Sequence, residues 1–108
     1  MDSGIPLVTV TWTVPSEEEG LRLVRGLVED RLVACGQVGA PITSVYRWEG
    51  ELQEAVEHPV TCKTTAALAD RVVAAVADRH SYDVPEVLVA PVIASTSAYA
   101  EWVRDQTA

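Results

Sequence analysis

Residues 6–14, "PLVTVTWTV", alternate strictly, with Val8, Val10, Trp12 and Val14 on one side and Leu7, Thr9, Thr11 and Thr13 on the other. Period two with β-branched residues predicts a strand. The pattern then changes. Pro15-Ser16, with Glu19 three residues after the serine, is a capping-box signal, and Glu17, Glu18 and Glu19 lie where a helix dipole favours negative charge. Leu21, Val24, Val28 and Leu32 keep helical spacing, with Leu27 widening the stripe, which predicts a helix over about residues 17–34.

Gly36, Gly39 and Pro41 exclude helix in the next stretch, and from Ile42 the pattern suits a long strand. Glu49-Gly50 reads as a hairpin turn, because glycine takes a positive φ at little cost. The returning strand is expected from about Leu52 to Cys62, with Pro59 marking a bulge or an unpaired edge position. Thr64 or Thr65 is the expected cap of a second helix, whose inner face is Leu68, Val72, Ala75 and Val76. The loop from His80 to Pro85 leads into "EVLVAPVIA", a strand that Pro91 assigns to a sheet edge, and Ser95 or Thr96 caps a last helix carrying Tyr99 and Trp102. No repeat or linker interrupts the 108 residues, so a single domain over 1–108 is expected.

The predicted order is β-α-β-β-α-β-α. Its first six elements match the ferredoxin-like split βαβ pattern, an α+β fold with helices on one face of the sheet. The other face needs cover. A chain this short has little left to supply it, and symmetric self-association is the economical answer.

Composition narrows the function. With 48% hydrophobic and 22% charged residues, the chain can build a core. A net charge of −8 argues against nucleic acid and against an anionic membrane surface, both of which are held by Lys and Arg. The longest apolar run, Val87 to Ala94, is too short for a membrane span, and no signal peptide is read at the N-terminus. Cytoplasm is the expected location, with Cys35 and Cys62 as thiols.

No GxGxxG, HExxH, GxSxG or complete P-loop is present. Lys63, the only lysine, is expected where a strand meets a helix N-terminus, a natural anion site, or else paired with Glu54, Glu57 or a neighbouring subunit's acid. His80, Tyr82, Asp83 and Glu86 cluster in one loop, where they could hold a metal or exchange protons; His58 is a weaker second metal ligand. A thiol after helix one has no evident activation at Cys35, and both Cys35 and Cys62 read as small core residues. Trp12, among valines, reads as packing. Tyr46 and Trp48 lie two apart and so share one strand face, while Val45, Arg47 and Glu49 share the other.

The stretches "EDRLVACGQV" (29–38), "SVYRWEGEL" (44–52), "CKTT" (62–65), "HSYDVPEVL" (80–88) and "YAEW" (99–102), in that order, resemble the CutA divalent-cation tolerance family across nearly the whole chain. The resemblance implies a compact homotrimer, similar in architecture to PII signalling proteins, with the hairpin around Tyr46 and Trp48 reaching a neighbouring subunit. It also implies a role in the response to metal ions, with copper or another divalent ion as the bound species. Of the family's copper ligands only His80 carries over; Trp12 stands where the first-strand cysteine is expected. The leading expectation is therefore a non-enzymatic metal-response trimer. A second is a regulatory trimer holding a small anion in an intersubunit cleft with Lys63, Tyr82, Glu86 and Trp48. A third is a small acid–base enzyme using His80, Glu86 and Lys63.

Overall fold

The computed structural model describes residues 4–108. β1 (Leu7–Val14) is followed by α1 (Glu17–Glu29), β2 (Cys35–Val38), β3 (Ile42–Trp48), β4 (Glu51–Thr65), α2 (Ala69–Arg79), β5 (Val87–Val92) and α3 (Ser97–Gln106), with a short 3₁₀ turn at Ala66–Leu68. Among the described residues the fold is mixed α+β, with one five-stranded antiparallel sheet and three helices. The strand order is β2-β4-β1-β5, and β3 pairs with the outer half of β4.

The alternation of β1 translates directly into two environments. Val10, Trp12 and Val14 are buried with Leu23, Val24 and Leu27 of α1 and Val72 and Val76 of α2. On the opposite face α3 covers only one end, where Ala100 and Val103 close over Leu7 and Ala34. The rest of that face, around Thr9 and Thr11, is half-buried.

Several boundaries differ from the sequence expectation. α1 stops at Glu29 rather than near residue 34, because Arg31 takes a positive φ of 61° and reverses the chain. The Arg31 side chain then donates to the backbone oxygens of Asp105 (2.8 Å) and Gln106 (3.2 Å), satisfying carbonyls at the end of α3. The inner face of α1 is Gly20, Leu23, Val24 and Leu27, with Val28 outside; Leu32 is buried, but beyond the helix. Ser16 is the N-cap, accepting from the Glu19 N–H at 3.2 Å, but the Glu19 carboxylate completes no capping box and instead accepts from Ser81.

β2 was not foreseen: four residues, one of them glycine, carry too little pattern, and the strand exists because β4 offers it an edge. β4 is longer than expected and includes Thr64 and Thr65. Thr64 caps nothing; its buried hydroxyl donates to the Leu32 carbonyl at 2.7 Å. Thr65 takes the N-cap position of the 3₁₀ turn without a side-chain bond. Pro59 is neither a bulge nor on an edge strand. It pairs with Thr13 at the point where β4 leaves β3 (Ile42 opposite Glu57) and takes up β2 (Val38 opposite Val60), a gap that needs no backbone donor. Pro91 does lie on an edge strand, β5, and Thr96 caps α3, accepting from the Tyr99 N–H.

The β3–β4 hairpin extends beyond the sheet as an arm, and the molecule measures 46 × 25 × 23 Å. Its turn is Glu49-Gly50, with φ of 51° and 81°, which is the positive-φ pair that a two-residue hairpin loop requires.

Candidate functional site

Cross-strand register decides what the arm presents. Ile42, Ser44, Tyr46 and Trp48 share one face with Glu57, Ala55, Gln53 and Glu51; Thr43, Val45 and Arg47 share the other with Val56, Glu54 and Leu52. The first face curves over the 80–86 loop to form a cavity of about 360 Å³, lined by Thr13, Tyr46, Trp48, Glu57, Tyr82, Asp83, Val84 and Glu86.

Glu57 forms the floor and is only 7% exposed. Its Oε2 accepts hydrogen bonds from Thr13 Oγ1 (3.1 Å) and Tyr82 Oη (3.0 Å). Burial raises the carboxyl pKa, but hydroxyl donation from Ser44, Tyr82 and Thr13 outweighs it, and the net shift is downward from 4.5. Tyr82 moves the other way, pushed up to about 12 by burial and by its hydrogen bond to the Glu57 charge. The phenol therefore stays protonated and keeps donating.

A carboxyl with a depressed folded-state pKa contributes stability above its unfolded value, and that contribution is lost as pH falls through the folded-state value. Wild-type protein should lose part of its urea resistance as pH drops below about 4.5. Glu57→Gln should be less stable at neutral pH, and the difference should shrink toward low pH. Parallel pH profiles for the two proteins would contradict the assignment of this charge.

His80 holds the loop from behind. Its buried ring donates through Nε2 to the Thr13 carbonyl (2.7 Å) and accepts through Nδ1 from the Tyr82 N–H (3.0 Å). One ring nitrogen must carry hydrogen and the other must not, so the bonds define the tautomer. Glu19 Oε2 lies 3.7 Å from Nδ1, and the Tyr82 ring 4.7 Å from the imidazole.

The sequence-predicted residues divide accordingly. Tyr82, Glu86 and Trp48 meet in the cavity with Tyr46, and His80 supports it. Lys63 does not join them. It lies inside β4 rather than at a helix N-terminus, opposite Thr9, and its ammonium donates to Gln37. Thr13 lies four positions along β1 from Thr9, about 13 Å of strand. The lining contains neither Lys nor Arg, so within one chain Lys63 brings no cation to this cavity and does not join Glu86 there. Glu57 and Thr13 were missed as lining residues. The strand register of Glu57 with the Tyr46 face was the available signal, but its burial depends on the loop folding over it.

A copper centre needs free lone pairs on imidazole or thiolate. Both His80 nitrogens are engaged, and His58 Nδ1 lies 3.1 Å from the Gly39 carbonyl. Trp12 offers no ligand atom. Among the described residues no three of His, Cys, Asp and Glu come together tightly enough to hold an ion. The side chains of one chain therefore do not fit a resident copper site. The cysteines are free; burial pushes the Cys62 thiol up to about 12, and Cys35 Sγ contacts Tyr99 Oη at 3.4 Å.

Fold and site define a small α+β domain that presents a projecting arm and an acidic, aromatic pocket. The family described as CutA1 divalent ion tolerance protein matches residues 8–106. The chain is 38% identical over 95 residues to the divalent-cation tolerance protein CutA of Thermus thermophilus, covering 88% of this chain and 92% of that protein. It is 36% identical over 103 residues to the chloroplastic protein CutA of Arabidopsis thaliana, covering 95% of this chain and 57% of that longer protein. The crystal structure of CutA1 from Oryza sativa superimposes with a TM-score of 0.93 at 36% identity, covering 99% of this chain and 98% of that one. The chain belongs to the CutA1 divalent ion tolerance protein family.

Proposed function

We propose that this protein acts as a homotrimer in the response to divalent metal ions, with copper contacted only weakly and across subunits. The observation that carries the assembly is the second face of the arm, where Val45 is 59%, Val56 64% and Leu52 71% exposed in the single chain. Apolar side chains adjacent on one projecting ribbon are an interaction surface rather than ordinary scatter. The strand order, with α1 and α2 on one face, supports reading the fold as ferredoxin-like and the assembly as PII-like. The role in metal response rests on family membership. A cytoplasmic location belongs to the same reading and is supported by the two free cysteines. No helix among the described residues is long and apolar enough to cross a membrane.

Native mass spectrometry of metal-stripped protein tests the reading. The expected spectrum is a trimer that takes up added Cu(II) substoichiometrically, and that shifts toward monomer when Val45 and Val56 are both changed to Asp. A wild-type monomer at micromolar concentration would overturn the assembly. A stoichiometric copper adduct on the isolated monomer would overturn the account of the metal.

A further inference from the structure

We propose that the cavity between the hairpin arm and the 80–86 loop is a binding site for a small organic cation. A carboxylate as deeply buried as that of Glu57 normally faces a counter-charge, because removing it from water is costly. Here its hydrogen-bond partners are hydroxyl groups, the neighbouring His80 ring is the one potentially cationic group that favours its charge, and none of the ion pairs among the described residues includes it. The open side of this carboxylate is the cavity itself.

The rest of the lining suits the same guest. Tyr46, Trp48 and Tyr82 supply aromatic rings, whose faces attract ammonium and guanidinium groups. Asp83 and Glu86 add negative charge at the exposed rim, on a chain of net charge −8. Fields of one sign around a cleft raise the local concentration of counter-ions. Anions are disfavoured by three carboxylates. A bare metal ion is poorly matched, since the carboxylates do not converge on one point. A volume of about 360 Å³ instead falls in the range of small-molecule sites. The inference goes beyond the proposed metal response and requires neither the trimer nor copper.

Two sources could supply the cation: a free amine, or an arginine or lysine side chain from a second copy of the chain. Calorimetric titration with tetramethylammonium at low salt, with tert-butanol as the neutral counterpart of similar shape, separates them. If the ligand is free, tetramethylammonium binds saturably to wild type and about tenfold or more weakly to Glu57→Gln and to Trp48→Leu, while tert-butanol does not compete. Trp48 is half-exposed on the arm, so its variant keeps the core intact. If the cation comes from a second copy, tetramethylammonium does not bind, and Glu57→Gln weakens self-association by about tenfold or more. Equal binding of both probes, or undiminished binding by Glu57→Gln, overturns the proposal. So does the absence of both ammonium binding and any change in self-association.

Discussion

Trp12→Ala should lower the unfolding free energy by about 3–5 kcal/mol, the cost of emptying a large aromatic site that cannot fully collapse. Trp12 is 1% exposed, opposite Val60 on one side and Val87 on the other, in the cluster that joins β1 to both α1 and α2. For a domain whose total stability is of order 5–15 kcal/mol, this is about a fifth or more of it. Trp12→Phe should cost much less, about 1–2 kcal/mol, because the buried indole Nε1–H has no partner among the described residues and none is lost with it. Urea unfolding at a fixed protomer concentration checks both, since any assembly contributes to the midpoint. Equal losses in the two variants would show that a phenyl ring recovers none of the packing the indole supplies, and would contradict this account.

Gly36→Ala should be the next most damaging change, at about 2–3 kcal/mol for a single methyl group. A Cβ at Gly36 would lie 2.6 Å from Cys62 Sγ and 2.9 Å from Val24 Cγ1. Gly36 is paired directly with Cys62, and Val24 presses on it from α1, so neither strand nor helix has room to retreat. Cys62→Ala removes the nearer obstacle. In that background Gly36→Ala should recover at least half of its cost, a coupling that a double-mutant cycle reads directly. If the cost is unchanged, the clash is not the cause.

Together these two predictions show where the sequence was legible. The alternation around Trp12 is enough to predict a strand with a buried valine–tryptophan face, because side-chain direction alternates whatever lies around it. The importance of Gly36 is not legible in that way. Its glycine is demanded by a sulfur 26 residues further on, on a strand that pairs with β2 only in the folded chain. Helix one shows the same limit. Its start at Ser16 was readable from capping chemistry, whereas its end was set by the positive φ of Arg31, a residue without a local stop signal.

The pocket divides along the same line. That Tyr46 and Trp48 share a face follows from their spacing, and that Tyr82 and Glu86 stay near His80 follows from a short loop. That these two groups meet, that Lys63 stands apart from them, and that Glu57 is the buried charge between them depended on how far β4 runs and on where β3 gives way to β2. By itself the sequence determined the α+β class, most of the elements, the hairpin turn at Glu49-Gly50 and the family resemblance, because periodicity, caps and turns act over a few neighbouring residues. The tertiary structure alone decided strand register, the ends of β4, the buried carboxylate held by hydroxyl groups and the engaged histidine. Those depend on contacts between residues distant in the chain, which local pattern does not encode.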